Sequence, residues 1–501
     1  MSPSFASTTG KAPVLESNSV NFVPHSERYG HPRSLFTLWF GANAMGVTIL
    51  TGSLAAYTAL SLLWIAVAIA VGTLIGTVFV AYHSAQGPAL GLPQMIQSRA
   101  QFGFYGAVIP LVVVVAMYLG FFAGGAVLAG DAVSTLTGTD QKIGILIISL
   151  LSLVLVTFGY QVLHVLAKII TPVFVVVFAI VTIFLIVKWP GGAHRATAPG
   201  GFSTVGFFLI LGIVAAYFIT YGPYVADYSR YLPEKTSVAS TFWYTYVGMS
   251  LSGIWLMILG AAVQIAYSQL GIVEALAAGA GLGGGWLRVL ALLVLLIGLV
   301  NIGALNIYGA AMSLLTIATS FMKSWKPTRA LRLAFMIPVA VIATIGSVAV
   351  SGDLINTYEN FIFFLIAFLI PWSAVNLVDF YFVRKGRYHV GDLFTAKGRY
   401  RSVSWAGVAA YLIGCAVMIP FISTTFYTGP LAAALGFDIS WMVGLVVSGA
   451  VYALFARIAR VRESDAAAAA LDPKEAAETA AALAAAAASD DSKPHTSAKG
   501  I

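Results

Sequence analysis

Apolar residues dominate the chain between positions 35 and 460, where short polar joints divide them into about a dozen runs. A helix needs about 20 apolar residues to cross the hydrocarbon of a bilayer, and most of these runs reach that length. They lie at 35–55, 62–82, 107–133, 143–160, 165–187, 205–225, 242–267, 287–320, 331–350, 354–382, 403–426 and 439–459. The pattern predicts an all-α membrane protein with 12 transmembrane helices.

The composition indicates contact with lipid. Of the 501 residues, 59% are hydrophobic and only 9% are charged, whereas a soluble domain carries about 25% charged residues. The net charge of +8 does not indicate a nucleic-acid partner, because the cations lie in loops and form no basic face. No segment has the spacing of a metal or cofactor motif, so we expect neither.

Lysine and arginine predict the orientation, because they concentrate in cytoplasmic loops. With a cytoplasmic N-terminus, the opposite side holds only Lys142, Lys188, Arg195 and Arg288. Both termini are then cytoplasmic. We expect an N-terminal tail at 1–34, a transmembrane domain at 35–460 and an Ala-rich flexible tail at 461–501, in a cytoplasmic membrane.

Two runs are interrupted by residues that disturb a helix. The first contains Asn43, Gly46 and Thr48 at its centre, which indicates either close helix packing or an unwound segment facing a ligand. The sixth contains Gly222-Pro223, which indicates either a simple kink or a true break. Interruptions five spans apart are typical of a five-plus-five inverted repeat, in which such segments line a substrate site.

Other polar or aromatic positions fall inside or beside the spans. Asn301 and Asn306 lie in the eighth span, about 140° apart around a helix, and suit either interhelical hydrogen bonds or pairing with a planar ligand. Phe121 lies among glycines in the third span. Residues 88–101 are predicted to form a short amphipathic connector, and Asp379 with Arg384 an ion pair at a span end.

An intramembrane enzyme is the rival class. Such an enzyme concentrates histidine, carboxylates or a nucleophile at bilayer depth, and this chain has no HExxH motif and no paired intramembrane aspartates. All of its histidines fall outside the predicted spans or near their ends. Polar positions in interrupted spans, without a soluble domain, favour a carrier of small molecules.

Several runs together resemble the nucleobase:cation symporter-1 family, especially its purine–cytosine permease branch. They include LFTLWFGANAMGVTILTGSLA in the first span, PYVADYSRYLP at the end of the sixth, NIGALNIYGAAMS in the eighth and PWSAVNLVDFYFVRKGRY at the end of the tenth. The resemblance implies a five-plus-five inverted-repeat bundle with two further helices. It also implies alternating access and cation-coupled uptake of a nucleobase.

The resemblance also implies a substrate site. Family members clamp the ring between aromatic residues of the third and sixth spans, which correspond here to Phe121 and Phe218. A ring-binding glutamine of a relative corresponds to Tyr118, a hydroxyl position to Thr220, and amide positions to Asn306 and Asn301. Unwound backbone around Asn43 and Gly46 completes the expected site.

The coupling cation and the substrate are predicted separately. Sodium-coupled relatives place two neighbouring hydroxyl residues where this chain has Val300 and Asn301, so we favour a proton over sodium as the coupling cation. The expected substrate is a nucleobase such as cytosine or a purine. Allantoin, a hydantoin or a thiamine precursor is the alternative on the same fold.

Overall fold

Helices make up almost all of the regular structure. The computed structural model describes residues 22–158, 160–190, 201–322 and 328–461. Within these ranges the one β-type pairing is an isolated bridge between Ser423 and Thr428. The all-α prediction is therefore confirmed for this part of the chain. Of the two predicted tails, positions 1–21 and 462–501 lie outside the described residues.

Eighteen α-helices follow one another in the described ranges. The longer ones are α1 (Arg33–Asn43), α2 (Gly46–Ser53), α3 (Leu62–Leu90), α6 (Val108–Thr137), α7 (Gln141–Thr157), α8 (Tyr160–Val187), α9 (Thr204–Ile219), α10 (Gly222–Ser229), α11 (Val238–Ala266), α12 (Ile272–Gly281), α13 (Gly285–Phe321), α14 (Arg329–Val350), α15 (Leu354–Val378), α16 (Trp405–Met418) and α18 (Ser440–Ile458). The short ones are α4 (Gln94–Gln97), α5 (Arg99–Phe102) and α17 (Pro430–Leu435).

Eight helical stretches in the described residues are long and apolar enough to cross a membrane, or nine if α1 and α2 count as one bent span. The chain is therefore a multi-pass membrane protein. Every predicted span falls on a helix or a helix pair, but two of those helices are short. The fourth falls on α7, with 17 residues, and the eleventh on α16, with 14.

The first interruption is a sharp bend. Helices α1 and α2 meet at 62°, because Met45 between them is extended, with φ −149° and ψ 164°. On the far side of the bend, Gly52 of α2 lies against the backbone of Met257 in α11, where a side chain on Gly52 would overlap it. Contacts of this kind let helices pack closely inside a membrane.

The second interruption is milder. Between α9 and α10 only Thr220 and Tyr221 leave the regular helix, and the two helices still form one largely apolar stretch of 26 residues. The Tyr221 N–H donates to the Phe218 carbonyl over 2.9 Å, a tighter turn than that of an α-helix. The Gly222-Pro223 pair therefore produces a local tightening rather than a wide gap.

We call the end of the bundle where α1 begins the near face, and the opposite end the far face. Backbone hydrogen bonds from Val23 to Gly91 and from Tyr29 to Tyr231 bring the ends of α3 and α10 to the near face. The predicted amphipathic connector forms α4 and α5 there. It is buried on all sides, including Gln94 and Arg99, so the amphipathic interpretation is wrong.

The near face also holds the predicted pair of Asp379 and Arg384. The Arg384 guanidinium bonds directly to the buried Asp379 carboxylate, which confirms that ion pair. Arg99 donates from α5 to the Leu393 carbonyl over 3.0 Å and to the Ser320 hydroxyl over 3.1 Å. Burial lowers the pKa of the Arg99 guanidinium to about 10, so it stays charged near neutral pH.

Candidate functional site

A closed group of polar side chains holds the bend between α1 and α2. The Thr48 hydroxyl donates to the Asn43 carbonyl over 2.6 Å and lies 2.9 Å from the Tyr217 hydroxyl. The Tyr217 and Tyr221 hydroxyls are 3.1 Å apart, and Tyr221 donates to Asn43 Oδ1 over 3.2 Å. All four residues are buried. The bend is thus locked to α9 and to the turn that follows it.

Asn43 has further bonds on its other side. Its Nδ2 donates to Ser252 Oγ over 3.3 Å and lies 3.4 Å from the Met249 carbonyl, both on α11. The structure therefore places Asn43 among protein partners on both ends of its amide. Gly46, on α2, faces Leu295 of α13, where an added Cβ would come within 2.5 Å of Leu295 Cδ1. Both residues thus hold helices together.

Three aromatic rings meet beside this bend. The centroids of Phe121 on α6 and Tyr217 on α9 are 6.1 Å apart, edge to face. Phe361 of α15 lies 5.2 Å from Phe121, also edge to face, and covers Gly120, where a side chain would overlap its ring. Phe121 and Phe361 are only partly buried although they lie inside the bundle. Phe121 and Phe361 therefore keep part of their surface open between α6 and α15, whereas Tyr217 is buried.

The structure does not bring Phe218 to Phe121. Adjacent residues of a helix point about 100° apart, so Tyr217 and Phe218 face different neighbours. Phe218 is fully buried, and its ring fills the space beside Gly253 of α11, where a side chain on Gly253 would overlap it. The aromatic residue of α9 that faces Phe121 is Tyr217, one position before the residue that the resemblance implied.

A second pair of rings lies nearer the near face. Tyr118 of α6 and Tyr224 of α10 have centroids 5.8 Å apart, and the Tyr118 ring lies against Gly309 of α13. The sequence analysis did not select Tyr224. A signal was present, since tyrosines at 217, 221, 224 and 228 follow the spacing of one helix face. We call Tyr118, Phe121, Tyr217, Tyr224 and Phe361 the aromatic wall.

Helix α13 presents Asn306 to the aromatic wall. Leu299 contacts Gly46, and a Cβ added to Gly125 would lie 3.7 Å from the Leu299 side chain. Asn306 follows Leu299 by two turns and precedes Gly309 by one, so it lies on the same face of α13. Asn301 points about 140° away from Asn306, and its Oδ1 is buried without a hydrogen-bond partner in the described residues.

Three polar groups at this place have no hydrogen-bond partner among the residues that the structure describes. Within the described part of the chain, no hydrogen bond reaches the Asn306 side chain or the hydroxyls of Tyr118 and Tyr224. Asn306 is nevertheless 8% exposed. Polar groups inside a protein are almost always hydrogen-bonded, and leaving them unpaired is costly. Their grouping beside aromatic faces is what a site for a small polar ring requires.

Thr220 does not contribute a free hydroxyl. Its Oγ1 donates to the Tyr217 carbonyl over 2.6 Å, and the residue is buried. This bond supports the tight turn after α9. Of the residues expected at the site, the structure therefore groups Tyr118, Phe121 and Asn306. It places Phe218, Thr220, Asn43 and Gly46 in the packing around them.

The grouped side chains are all uncharged, which fits a neutral ligand. Aromatic faces stack on a flat ring. An asparagine amide offers a donor and an acceptor, and each phenol can act as either. The nearest acid along α10 is Asp227, and one of its oxygens accepts the Gln94 N–H over 2.7 Å.

Comparison with known proteins finds relatives along most of the chain. The sequence model of the family described as permeases for cytosine and purines, uracil, thiamine and allantoin matches residues 22–444. A protein of Bacillus subtilis that is named a purine-cytosine permease, YxlA, is 40% identical over 446 residues, covering 87% of this chain and 95% of that one. The cytosine permease of Escherichia coli K12 is 26% identical and covers 84% and 92%.

Solved structures show the fold. The inward-facing form of the transporter Mhp1 superimposes with a TM-score of 0.71 at 20% identity, over 90% of this chain and 95% of that one. A closed form of Mhp1, a nucleobase-cation-symport-1 family transporter, has bromovinylhydantoin bound and gives a TM-score of 0.69 at 19% identity, over 90% and 99%. The described helices therefore share the fold of Mhp1.

The family and its named members are permeases. The chain is accordingly a membrane transporter and not an enzyme. On the match across residues 22–444 and the 40% identity to YxlA, it belongs to the family of permeases for cytosine and purines, uracil, thiamine and allantoin.

Proposed function

We propose that this protein takes up a neutral, planar nucleobase such as cytosine or a purine, coupled to a cation, through the cytoplasmic membrane. The observation that carries the proposal is the group of unpaired polar side chains on the aromatic wall: Asn306 and the hydroxyls of Tyr118 and Tyr224. A nucleobase has flat faces for the rings and an edge of donors and acceptors for these three groups.

In this proposal the ring stacks on Phe121, which the buried Tyr217 supports edge to face. The Asn306 amide hydrogen-bonds the polar edge of the nucleobase. The hydroxyls of Tyr118 and Tyr224 hydrogen-bond the part of the nucleobase that points toward the near face. Phe218 supports Tyr217 from behind, since the two rings lie 5.4 Å apart, edge to face. Asn43, Gly46 and Thr220 hold the bend and the turn on which Tyr217 and Tyr221 depend.

A different heterocycle is the second candidate. Tyr118 stands where the resemblance places a ring-binding glutamine, and a phenol offers one hydroxyl in place of an amide. The closed structure of Mhp1 has bromovinylhydantoin bound, so the shared fold accommodates a hydantoin in that protein. Allantoin, a hydantoin or a thiamine precursor therefore belongs in every competition experiment.

For the coupling cation we favour a proton over sodium. The Val300 carbonyl already accepts the Ser152 hydroxyl over 3.1 Å, and the valine side chain has no oxygen. A sodium ion there would need several oxygen ligands at once. The unpaired Oδ1 of Asn301 supports the opposite choice, so both ions must be tested.

We further propose 12 crossings, with ten helices in two inverted halves and two more at the end, both termini cytoplasmic, and alternating access. The bend between α1 and α2 and the interruption between α9 and α10 lie five predicted spans apart, which supports the repeat. The excess of lysine and arginine in the loops at the near face supports its cytoplasmic position.

Uptake into liposomes tests the proposal. The purified protein is reconstituted, and labelled cytosine or adenine is supplied under a proton gradient alone, a sodium gradient alone, or neither. Unlabelled purines, pyrimidines, allantoin, a hydantoin and thiamine serve as competitors. Saturable uptake that needs only the proton gradient supports the proposal. Uptake that needs sodium overturns the choice of ion, and uptake of allantoin, a hydantoin or thiamine alone overturns the choice of ring.

A further inference from the structure

A buried histidine lies directly against the interruption between α9 and α10. His83 of α3 has no exposed surface. Its ring stacks on Trp372 of α15, with centroids 4.9 Å apart and planes 12° from parallel. Both rings touch Gly222, the first residue of α10. A Cβ on Gly222 would lie 3.1 Å from Trp372 and 3.2 Å from His83 Cδ2.

Both ring nitrogens of His83 have partners on other elements. Nε2 lies 2.8 Å from the Ser373 hydroxyl on α15, and Nδ1 lies 3.2 Å from Nε2 of Gln94 on α4. An amide NH2 can only donate, so Nδ1 accepts and Nε2 carries the hydrogen that is donated to Ser373. The imidazole is thus neutral and fixed in one orientation.

Gln94 begins a chain of amides that runs to the near face. Its Nε2 donates to Gln86 Oε1 over 3.0 Å, and Gln86 donates to Asn376 Oδ1 over 2.9 Å. Asn376 Nδ2 lies 3.4 Å from Gln101 Oε1, and Gln101 donates to the Asp379 carboxylate over 2.8 Å. All the donors point the same way, toward a negative charge, so the bonds polarise one another.

The chain of amides ends at Asp379, which other side chains hold in place. The Asp379 carboxylate also accepts hydrogen bonds from Arg384, Tyr388 and Tyr452, the last over 2.6 Å. This chain of amides joins α3, α4, α5 and α15 through buried hydrogen bonds. Breaking such bonds costs free energy where no water can replace the lost partner. His83 is therefore a fixed point against which the start of α10 rests.

We infer that His83 is a positioning residue for transport: it holds the turn at Thr220–Tyr221 so that Tyr217 and Tyr224, on either side of it, keep facing Phe121 and Tyr118. The inference rests on the proposed function only in taking the aromatic wall as the substrate site. His83 acts through Gly222 and is not itself part of that wall.

The surroundings of His83 suit a neutral ring that acts by position. His83 contacts Gln94, Trp372, Ser373, Asn376 and Gly222, and none of these residues carries a charge. The nearest acidic side chains reach His83 only through other residues. Asp227 accepts the backbone N–H of Gln94 over 2.7 Å, and Asp379 lies at the end of the amide chain.

Hydrogen exchange of the full-length protein measures this role without any substrate. His83→Phe keeps a flat ring beside Gly222 but loses both nitrogen bonds, and His83→Gln keeps a donor and an acceptor. Thr73→Val is the matched control on the same helix, since the buried Thr73 hydroxyl has no partner in the described residues. Exchange is followed in peptides that cover positions 217–230.

We expect His83→Phe to speed exchange there by about 5- to 150-fold, the effect of leaving buried groups unpaired, and His83→Gln to restore part of the protection. Thr73→Val should match the wild type. Wild-type exchange in His83→Phe would overturn the inference. Should that variant fail to fold, Ser373→Ala removes one partner only, and unchanged exchange in it would also overturn the inference.

Transport kinetics give a second readout. For whichever ring the wild type carries, a positioning role predicts a raised KM in His83→Phe and a pH profile that stays parallel to the wild type. Loss of the pH dependence with unchanged exchange would make His83 a proton carrier and overturn the positioning role. If no nucleobase binds to the wild type, the proposed function fails, while the exchange comparison still decides the role of His83.

Discussion

Tyr118 and Tyr224 face each other across the bundle, with ring centroids 5.8 Å apart, and neither hydroxyl is hydrogen-bonded within the described part of the chain. They come from α6 and α10, helices that are separated by about 100 positions in the sequence. Both residues lie nearer the near face than Phe121 does. This arrangement makes both hydroxyls accessible to a ring held at the aromatic wall.

Removing one of these hydroxyls should weaken binding. Tyr224→Phe keeps the ring and its packing, so the loss isolates one hydrogen bond to the ligand. We expect the dissociation constant for the transported nucleobase to rise about 5- to 150-fold, because a polar edge of the ligand is left unpaired. Equilibrium binding to the detergent-purified protein measures this change.

Tyr246→Phe is the control for that measurement. Tyr246 lies on α11 and stacks on Phe242 with centroids 5.5 Å apart, away from the aromatic wall. It should bind the ligand as the wild type does. Equal affinity in Tyr224→Phe and the wild type would remove Tyr224 from the site.

Gly309 should tolerate no side chain. The Tyr118 ring occupies the place of a Cβ on Gly309, so Gly309→Ala must push that ring into the site. We expect at least a tenfold loss of affinity, which corresponds to about 1.4 kcal/mol. Uptake assays with quantified membrane expression separate this loss from poor insertion.

Gly298→Ala is its matched control on α13, since no atom lies within 4 Å of a Cβ there. Alanine favours the helix over glycine by about 1 kcal/mol, so this variant should be as active as the wild type and at least as stable. If both glycine variants behave alike, the contact between Tyr118 and Gly309 does not matter for binding.

Asn306→Ala should weaken substrate binding about 5- to 150-fold, because the variant leaves a donor and an acceptor of the ligand without partners. Competition with a panel of rings adds a second measure. Nucleobases that differ only at the edge that Asn306 contacts should bind Asn306→Ala with equal affinity. Thr319→Val on the same helix is the control, since its hydroxyl bonds only to carbonyls of its own helix.

Arg99 should be important for stability. Its guanidinium bonds Leu393 and Ser320 and lies 4.3 Å from the centre of the Phe104 ring. Each lost bond to a charged group costs about 1.5–3 kcal/mol. Arg99→Ala should therefore lower the melting temperature in detergent, and Arg99→Lys should recover only part of it, because lysine lacks the planar fork.

The exposed Arg288 on α13 is the control for Arg99, since its replacement by alanine removes the same charge from a solvated position. A melting temperature for Arg99→Ala equal to that of Arg288→Ala would show that the buried bonds of Arg99 contribute nothing. The comparison also tests whether the buried connector between α3 and α6 is a structural element rather than a loose loop.

The apolar runs predicted each of the eight stretches that, in the described residues, are long and apolar enough to cross a membrane, because lipid leaves the backbone no other way to satisfy its polar groups than a helix. The residues around Asn43, Gly46 and Thr48 indicated either close packing or an unwound segment, and the structure has a bend there. The apolar runs did not predict the burial of residues 88–101. That segment looks amphipathic, but Gln94 donates to Gln86 of α3 and Gln101 donates to Asp379, which follows α15, and only the fold brings these partners together.

The identity of the aromatic residue on the sixth span was also beyond the sequence. A count along the chain selects Phe218, and Tyr217 is its neighbour. Their directions differ by about 100°, so an error of one position moves the side chain to another helix interface. Only the placement of α11, with Gly253 receiving the Phe218 ring, decides which of the two faces Phe121.

By itself, then, the sequence determined the multi-pass membrane character, the long apolar helical stretches and the two interruptions, since these depend on composition and local order along one helix. Phe121, Tyr118 and Asn306 were assigned to the substrate site through the family resemblance and stay predictions. The tertiary structure decided which polar groups are used up inside the protein and which are left open. Asn43 and Thr220 are hydrogen-bonded to other groups of the protein, whereas the side chains of Asn306 and Tyr224 have no such bond among the described residues. Pairing depends on which helices meet, and no spacing along the chain contains that information.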